Sequence, residues 1–384
     1  MDRIEIKNFP IVKDLFEPLV NFQPMSAAVL EGIWDGDVWV DDMDIPKASM
    51  ILFYLPAGGP AWCFLAGNPE SAGFNSAINS LIFGENSIYK DTASFLFTCD
   101  PENWGDKFKI IAEPRHPVPM HRQHYRCQEM TYDWRGNLPD GFTIIPMTVE
   151  LLEKDDLQLP PLVNATLGKW RSVHQSGFRD FGFLVIHDNR VVSWATVDFV
   201  SGSSGDLGFE TIPEFQKRGL GTAVAGAALE LGLKKGIEVH WTCAVDNIGS
   251  QKTAQKLGLL HDRDYTMYLI FRDLTEHLAQ LAYSYLASGD YQQAIRSYED
   301  LFRQEAAVPT WAYYDTAQAW AALGEAENAI KYLRMAAKEG WSAVEMTEKV
   351  PEFQFLRDQP EWAEVIAKIK QNRQDTSKKK IVEE

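Results

Sequence analysis

The chain has 384 residues, which is enough for two or three domains. It contains 54 acidic and 37 basic residues, and its formal net charge of −17 argues against nucleic acid and anionic membranes as partners, because both are bound by clustered Lys and Arg. The acidity is compatible with a cationic or amine-bearing ligand. Hydrophobic residues make up 45% of the chain and charged residues 24%, which is typical of a globular protein and argues against a disordered chain.

No sequence feature predicts a membrane span or a signal peptide. The longest apolar run, residues 50–55, is far shorter than the ~20 residues that cross a bilayer. The first residues do not combine a basic segment with an apolar one, as a signal peptide does. The four cysteines are scattered, with neither a CxxC pair nor zinc-like spacing, at Cys63, Cys99, Cys127 and Cys243. We therefore predict reduced thiols and a cytoplasmic location.

The first block, residues 1–130, is predicted to be an α+β domain. Short strand-like runs such as Ala48–Leu55 are separated by turns rich in Gly and Pro. Near the end of the block lie three histidines, His116, His121 and His124, with arginines among them. Their spacing does not by itself give the convergent geometry of a metal site. We interpret this segment as a polar strand and predict no metal.

The second block, residues 140–272, alternates strand-like and helix-like segments. The Asp188-Asn189 turn between two β-rich runs indicates a hairpin. The later strands alternate with helices, which predicts a mixed central sheet with crossover connections and flanking helices. The predicted helices are 149–170, 222–235 and 248–257, and the predicted strands are 142–147, 181–187, 190–200, 207–212, 239–244 and 265–271. The fold class predicted for the chain is α+β.

The third block, residues 276–370, is rich in Ala, Leu and Tyr and is predicted to be helical. Six of its positions recur 35 residues later with small, aromatic or glycine residues. These positions are Ala282, Tyr285, Gly289, Tyr291, Ala294 and Tyr298, followed by Ala317, Trp320, Gly324, Ala326, Ala329 and Leu333. Small residues suit close helix contacts, aromatic residues fill grooves, and glycines suit turns. The pattern resembles two tetratricopeptide repeats, which implies a helical hairpin array able to bind a protein partner.

The end of the chain is predicted to close this array. Two repeats are fewer than the three or so that usually support themselves. Residues 340–358 are similar to the closing segment found after some tetratricopeptide arrays. We predict that this segment, or the second block, covers the exposed faces of the repeats. The last residues, 371–384, contain a run of three lysines and are predicted to be disordered.

The most informative stretch of the sequence is the loop that follows the strand at 207–212. A proline forces a turn, and the loop then opens an Ala-rich helix through Gly219 and Gly221. Free N–H groups at a helix start bind anions, and glycines let phosphate oxygens approach closely. Lys217 and Arg218 add positive charge to an otherwise acidic chain. The loop is neither a Walker loop nor GxGxxG, and alone it would equally suit a structural turn.

A second signature beyond the loop strengthens this interpretation. The loop itself has the pattern Gln216-x-x-Gly219-x-Gly221. The second signature begins at Asn247 and includes Ser250 and the run Lys256-Leu257-Gly258. Together they resemble the two coenzyme motifs of the GNAT superfamily of acyl-CoA-dependent N-acetyltransferases. Residues 140–272 look closest to the zwittermicin-resistance-like branch, in which an extra N-terminal α+β region precedes the GNAT core. The first block matches that region, for which a degenerate GNAT-like copy is one interpretation.

The resemblance implies which residues bind acetyl-CoA. The backbone of Thr211 and Ile212 is expected to hydrogen-bond the pantetheine arm and to polarise the acetyl carbonyl. Asn247 and Ser250 match positions that usually contact the same arm. The CoA pyrophosphate is expected on the backbone amides of the loop and of the helix start, at Gln216, Lys217, Arg218, Gly219, Leu220, Gly221 and Thr222.

The implied reaction is direct attack of an amine on the acetyl thioester. A protonated amine needs a base. Glu210 is our first candidate because several GNAT enzymes place a glutamate in this strand, and Asp246 is the alternative. The tyrosine that many members place before Lys-Leu-Gly is replaced here by Ala254. The CoA thiolate then leaves unassisted or takes a proton from one of three candidates, Ser250, Tyr265 or Cys243.

Three functions are compatible with these motifs. The first is transfer of the acetyl group to a small-molecule amine, with the third block as a protein-contact module. The second is a non-catalytic acyl-CoA-binding or scaffold protein, and the third is acetylation of a protein or peptide amine. Cys243 as the nucleophile of a ping-pong mechanism is disfavoured, because a small residue in a strand is usually packed. Three tryptophans, Trp170, Trp194 and Trp241, are candidates for lining the acceptor pocket.

Overall fold

The computed structural model describes residues 1–55, 58–127, 129–154, 156–164, 179–304 and 308–383, with side chains as far as residue 375. The chain divides into two compact units. The first contains Met1–Glu113 and Pro119–Leu269, and the second contains Pro114–Val118 and the chain from Ile270 onward. The first and second blocks of the sequence, predicted as separate domains, therefore lie in one unit.

The first unit is built on a twelve-stranded mixed sheet. In chain order the strands are β1 (Asp2–Ile4), β2 (Asp37–Val40), β3 (Ala48–Phe53), β4 (Ala61–Gly67), β5 (Ser94–Asp100), β6 (Val118–Arg126), β7 (Thr143–Pro146), β8 (Phe181–His187), β9 (Arg190–Ser201), β10 (Ser204–Thr211), β11 (Glu238–Ala244) and β12 (Leu260–Phe271). Across the sheet their order is β1-β2-β3-β4-β5-β12-β6-β11-β10-β9-β8-β7. The predicted α+β fold class is confirmed.

Helices flank this sheet. Those described are α1 (Lys13–Val20), α2 (Pro24–Leu30), α3 (Ala72–Phe83), α4 (Phe108–Ile111), α5 (Val149–Leu152), α6 (Leu220–Lys234) and α7 (Ile248–Leu257). The helix predicted over 149–170 is interrupted, because α5 ends early and helical structure returns at 161–164. The backbone of Gln158 accounts for the interruption, because it pairs with the start of β9 by donating to the Asn189 carbonyl and accepting from the Val191 N–H. Residues 165–170 of that prediction lie outside the described residues.

The sheet consists of two halves with the same pattern of connections. In the first half β1 to β4 pair antiparallel in succession, and β4 then pairs parallel with β5 through a crossover that contains α3. In the second half β7 to β10 pair antiparallel, and β10 pairs parallel with β11 through a crossover that contains α6. The first half is therefore a structural counterpart of the second.

The two halves exchange their last strands. β6 follows the first half in the chain but pairs antiparallel with β11 of the second half. β12 follows the second half in the chain but lies between β5 and β6. Each half is thus completed by the strand that ends the other. This long-range pairing explains why the boundary predicted between residues 130 and 140 does not separate two compact units.

Helix α6 packs closely on the second half of the sheet because its inner face is made of small residues. An added Cβ at Gly232 would fall 2.5 Å from Val239 Cγ2. Ala225 and Ala228 on the same helix are fully buried. Close packing along the helix fixes the position of its first turn relative to the end of β10.

The second unit is helical. Its helices are α8 (Leu274–Ala287), α9 (Tyr291–Phe302), α10 (Thr310–Ala322), α11 (Ala326–Lys338), α12 (Val344–Lys349) and α13 (Pro360–Glu383). Gly289 and Gly324 lie in the turns of the two hairpins, each with a φ of 80° that glycine adopts easily. The alanines at the recurring positions are buried, at Ala282, Ala294, Ala317 and Ala329. The likeness to tetratricopeptide repeats stays a prediction.

The closing segment packs on the second hairpin. Phe353 and Leu356 share a buried cluster with Tyr314 and Leu333 of that hairpin. Apolar side chains from the closing segment thereby cover a surface that a two-hairpin array would leave exposed.

Helix α13 continues through residues that the sequence predicts to be disordered from 371. Asn372 Nδ2 donates hydrogen bonds to the Ala337 carbonyl at 2.6 Å and to the Trp341 carbonyl at 2.9 Å. These bonds satisfy carbonyl groups at the end of α11 and hold this part of α13 in place. The lysine-rich composition of the tail gives no indication of this anchor.

The buried hydrogen bond from Tyr298 to Asp315 joins α9 to α10. Tyr298 Oη donates to Asp315 Oδ2 at 2.9 Å, and burial raises the pKa of Asp315 to about 6. Tyr298→Phe leaves this acceptor buried without its donor, so we expect the local opening free energy to fall by about 1–3 kcal/mol. Native-state hydrogen exchange of the α9 and α10 amides measures the change. Tyr283→Phe is the control, because Tyr283 is 53% exposed, and equal losses in the two variants would contradict the prediction.

Candidate active site

The parallel strands β10 and β11 separate after a short paired stretch. Their register covers three residue pairs and ends at Asp206 and His240. Beyond that point β10 stays paired with β9 as far as Thr211, and β11 stays paired with β6 as far as Ala244. Each strand is held on its outer side, so a cleft opens between them.

The corresponding strands of the first half do not separate. β4 and β5 stay paired over six residue pairs, from Ala61 to Ala66 on β4. The turn after β4 has the sequence Asn68-Pro69-Glu70-Ser71, which lacks the Gly-x-Gly pattern found after β10. The cleft and the glycine motif therefore occur together in the second half of the sheet.

The first turn of α6 lines the open end of this cleft. Gly219 is the N-cap residue with a φ of 84°, and Lys217 before it has a φ of 61°. No side chain in the described part of the chain caps the helix, so the N–H groups of its first turn face the cleft without such a partner. An added Cβ at Gly219 would meet nothing within 4 Å, and its left-handed φ is the reason for glycine there.

Gly221 is required by close packing. A Cβ at this position would lie 3.0 Å from Phe209 Cε2 and 3.1 Å from Thr211 Oγ1. Thr211 Oγ1 is itself fixed by a hydrogen bond of 2.8 Å with Ser193 Oγ. The two glycines of the motif therefore serve different purposes, one in the turn and one in the contact between helix and strand.

The cleft has a volume of about 690 Å³, which is in the range of small-molecule and cofactor sites. Ten of the predicted site residues line it, namely Glu210, Thr211, Gln216, Lys217, Gly219, Leu220, Gly221, Thr222, Asn247 and Ser250. Three predicted site residues are not among its lining residues, Ile212, Arg218 and Asp246. The two sequence signatures thus meet in one place.

The backbone of Ile212 is engaged within the protein, which corrects the prediction that it binds pantetheine. Its N–H donates to the Val192 carbonyl at 3.0 Å, and its carbonyl accepts from the Phe215 N–H at 3.0 Å. Backbone groups alternate in direction along a strand, so those of Phe209 and Thr211 face away from β9 and toward the cleft. The geometry therefore moves the expected backbone contact from Ile212 to Phe209.

The side chains of the loop differ in whether they line the cleft or contact the protein elsewhere. Gln216 ties the loop to β10, because its Nε2 donates to the Thr211 carbonyl at 3.0 Å. Lys217 is exposed and lines the cleft. The Arg218 guanidinium instead lies 4.9 Å from the ring centroid of Phe215. Of the two predicted loop cations, Lys217 is the one that lines the cleft.

Trp241 forms part of the wall on the β11 side. Its ring packs against Phe209, with centroids 4.9 Å apart, and its Nε1 donates to Ser250 Oγ at 3.0 Å. The Ser250 N–H in turn donates to Asn247 Oδ1 at 3.0 Å, which caps α7. These contacts hold Asn247 and Ser250 at the edge of the cleft.

The other aromatic candidates lie elsewhere or outside the description. Trp194 belongs to the buried core of the second half. Trp170 lies outside the described residues. Tyr265 is buried, and it is not among the lining residues. Trp241 is the predicted tryptophan that the cleft contains.

The two carboxylates predicted as bases occupy different places. Glu210 is exposed and lines the cleft, and strand alternation directs its side chain away from Phe209 and α6. Asp246 is exposed just before α7 and does not line the cleft. Cys243 lines it, but burial raises the pKa of this thiol, so its thiolate is disfavoured at neutral pH.

The structure adds cleft residues that the sequence analysis missed. Arg122 of β6 lines the cleft, and its Nη2 donates to Thr242 Oγ1 at 3.2 Å. The sequence places β6 in the first block as a polar strand, and the strand exchange brings it beside β11. Gly208 and Phe209 also line the cleft. Because backbone groups alternate in direction along a strand, the contact expected at Thr211 also predicts one at Phe209, two residues earlier.

Among the described residues, no group of three or more His, Cys, Asp or Glu side chains is arranged to hold a metal ion. The helices of this described part include none that is both long and apolar enough to cross a membrane.

Comparison with known proteins assigns the family. The GNAT acetyltransferase family model matches residues 15–268, which is more than half of the chain. The chain therefore belongs to the GNAT acetyltransferase family. An uncharacterized N-acetyltransferase from Bacillus subtilis (strain 168), YdfB, is 25% identical over 243 residues, which are 63% of this chain and 88% of the relative. The family match begins at residue 15, so it includes most of the first block, where the sequence resemblance was weak.

Solved structures with similarity to the chain include two GNAT proteins. A GCN5-related N-acetyltransferase-like protein from Streptococcus suis 89/1591 is 21% identical, with a TM-score of 0.45, and the match covers 68% of this chain and 98% of that chain. A tandem GNAT protein from the clavulanic acid biosynthesis pathway is 12% identical, with a TM-score of 0.49, and the match covers 71% of this chain and 98% of that chain.

The packing of Gly221 leads to a prediction about ligand binding. Gly221→Asp adds a side chain against Phe209 and Thr211 and a negative charge beside the amides of the helix start. We expect it to weaken CoA binding by about 10–100-fold, since overpacking alone costs about 1–3 kcal/mol. Isothermal titration calorimetry with CoA measures the effect.

The control for this prediction is Gly236→Asn, just beyond the other end of α6. Gly236 has a φ of 69°, which Asn tolerates, and an added Cβ would meet nothing within 4 Å. CoA affinity should stay at the wild-type level in this variant. Equal affinity in Gly221→Asp and wild type would show that the helix start is not the binding site.

Proposed function

We propose that the protein is an acetyl-CoA-dependent N-acetyltransferase that acetylates an amine of a small molecule. The observation that carries the proposal is the cleft between β10 and β11, which opens beside the glycine motif and the first turn of α6. Family membership supports acetyl transfer in general. The geometry of the cleft supports acetyl-CoA as the donor and an amine as the acceptor.

The start of α6 suits the CoA pyrophosphate. Its first-turn N–H groups and the positive end of the helix dipole favour an anion. Lys217 adds a cation at the same end of the cleft. These features concentrate positive charge locally in a chain whose net charge is −17, which favours an anionic coenzyme at this place.

The separated edge of β10 suits the pantetheine arm. The backbone groups of Phe209 and the N–H of Thr211 face the cleft where a neighbouring strand would otherwise pair with them. Amide groups of pantetheine can take the place of that strand, because backbone polar groups need partners. The Phe209 N–H is our candidate donor to the acetyl carbonyl, and such an oxyanion donor is worth about 3–4 kcal/mol in the transition state.

The acceptor amine would approach from the other face of the sheet. Phe209 and Trp241 line the cleft on the α6 side, whereas Glu210 and Thr242 line it on the opposite side. The cleft therefore passes between the strands and joins the two faces. Two substrates entering from opposite faces can meet there in a ternary complex, which is the arrangement that direct attack requires.

Ser250 is our candidate for protonating the leaving sulfur. Its Oγ accepts a hydrogen bond from Trp241 Nε1 at 3.0 Å, which leaves its own proton for donation, and both Ser250 and Cys243 line the cleft. Unassisted departure of the thiolate is the alternative. Tyr265, the other candidate, is buried and does not line the cleft.

Three finer assignments complete the proposal. We place the first unit in the zwittermicin-resistance-like branch, on the basis of the motifs around Gly219 and Asn247. We assign the second unit a role in binding a protein partner, on the basis of its 35-residue recurrence and its two helical hairpins. A cytoplasmic location is supported by four cysteines that are all buried and unbridged.

Calorimetry and an acceptor screen test the proposal. Acetyl-CoA should bind the whole chain with micromolar affinity, and thiol release should rise with a subset of small amines, amino-polyol and aminoglycoside antibiotics and short peptides. No binding of acetyl-CoA would refute the coenzyme assignment. Binding without transfer to any amine would favour the scaffold alternative, and transfer to peptides alone would favour a protein acceptor.

Cys243 provides a test of direct transfer. Burial disfavours its thiolate, so we expect Cys243→Ala to keep turnover close to wild type and no acetyl group to be found on the protein. Thiol release in a rapid-mixing experiment and intact-protein mass spectrometry check this. A burst of thiol before the acceptor is added, lost in Cys243→Ala, would instead establish a ping-pong reaction.

A further inference from the structure

The face of the sheet opposite α6 carries a carboxylate at the point where β10 and β11 separate. The side chains of Asp206, Gly208 and Glu210 share this face because they alternate along β10. Asp206 lies opposite Asp198 in the register with β9 and opposite His240 in the register with β11. It is therefore the last paired residue before the cleft, whereas Glu210 lies four residues nearer to the open end.

The backbone beside Asp206 is irregular and leaves space. The register of β10 with β9 shifts between Ser204 and Asp206, and a bulge of this kind changes the direction of nearby side chains. Gly208 follows, and a Cβ added there would meet nothing within 4 Å. A gap therefore lies on this face beside Asp206, between Glu210 on one strand and Thr242 on the other.

The environment of Asp206 differs from that of a surface carboxylate. Asp206 is half-buried in β10. Burial first, and then repulsion by Asp198, raise the pKa of Asp206 to about 7 against the opposing attraction of Arg122. Such a carboxylate is a stronger base than an exposed one and still loses its proton near neutral pH.

Within the described part of the chain, no side-chain hydrogen bond stabilises the charge of Asp206. Burial lowers the pKa of His124 on β6 and of His240 on β11 to about 4, so both are neutral at neutral pH. Helix α2, which packs against β9 and β10, has no titratable residue. Arg122 donates to Thr242, and its Nε is buried without a hydrogen-bond partner among the described residues. That nitrogen is a further donor available to a polar acceptor.

We propose that Asp206 is the general base of the acetyl transfer and takes the proton of the acceptor ammonium. The inference rests on the proposed function and names the residue that its chemistry requires. Asp206 is not itself a lining residue of the cleft; it precedes by two residues Gly208, which lines the cleft and carries no side chain to separate the two. Glu210, the base predicted from sequence, lies at the open end, where its charge attracts the ammonium.

The Asp206 carboxylate removes one proton from the ammonium, directly or through one water. The neutral nitrogen forms a bond to the acetyl carbonyl carbon, and the C–S bond breaks with its electron pair on sulfur. The second nitrogen proton passes to that sulfur and gives CoA thiol. Asp206 then releases its proton to solvent, so the products are an amide, CoA thiol and one proton.

A carboxyl titration tests the inference without an acceptor. Carbon-13 NMR of the whole chain labelled at Asp carboxyls should show one resonance, absent from Asp206→Asn, that titrates near neutral pH. Asp198→Asn removes a repelling charge and should move this titration to lower pH, whereas Arg122→Gln removes an attracting charge and should move it to higher pH. Titration in the ordinary acidic range would overturn the proposal.

Rates then separate a catalytic from a structural role. Asn is isosteric with Asp, so Asp206→Asn should keep the wild-type unfolding temperature and acetyl-CoA affinity. With acetyl-CoA and excess n-propylamine, or an acceptor from the screen, it should lower kcat at neutral pH by about 100-fold or more and remove the inflection of the rate near neutral pH, so that the rate simply follows the free amine. Glu210→Gln, the matched control on the same face, should mainly raise the KM for the amine and keep that inflection.

The outcomes distinguish this inference from the proposed function. If Asp206→Asn transfers acetyl at the wild-type rate with the same pH profile, Asp206 is not the base and the acetyltransferase assignment stands. If the wild-type chain fails to bind acetyl-CoA, the proposed function itself fails. Loss of transfer in Asp206→Asn with acetyl-CoA affinity intact supports both.

Discussion

The site depends on where the backbone pairing of β10 with β11 ends. Pairing ends at Asp206 and His240, and beyond it backbone groups of β10 face open space. Leaving such groups without partners is costly in a protein interior, and the cost is tolerable where a ligand or water takes their place. Because β9 and β6 hold the two strands from outside, the separation does not spread, and the cleft is formed before any ligand arrives.

The strand exchange explains the contribution of the first half of the sheet. Its own parallel pair, β4 and β5, stays paired and lacks the glycine turn, so it has no comparable cleft. Its final strand, β6, nevertheless supports β11 and brings Arg122 to the site. A block without any chemical motif of its own is thereby necessary to the site. The family match across both halves agrees with this dependence, because neither half is complete without the strand contributed by the other.

What could be predicted from the sequence was local. The anion loop at Gln216 to Thr222 was found because a helix start with two glycines carries its chemistry within one turn. The backbone contact was assigned to Thr211 and Ile212 and not to Phe209 and Thr211, because the direction of each N–H depends on the register with β9, and an offset of one residue reverses it. Arg122 was missed because its place beside β11 depends on pairing between residues more than 100 positions apart. The helical tail was missed because it too depends on a tertiary contact, in which the Asn372 side chain bonds the carbonyl of Ala337 in α11, 35 positions earlier.

The distribution of charge around the cleft favours a ternary complex over an acetyl-enzyme. Lys217 and the start of α6 make one end positive, whereas Glu210 lines the opposite face and Asp198 and Asp206 lie on that face beside the cleft. Charges of opposite sign favour an anionic coenzyme on one face and a cationic amine on the other. Both substrates can therefore be bound at the same time. An intermediate on Cys243 would need a thiolate that burial disfavours. The acidic side chains that bear on the mechanism are therefore those on the face from which an amine would approach.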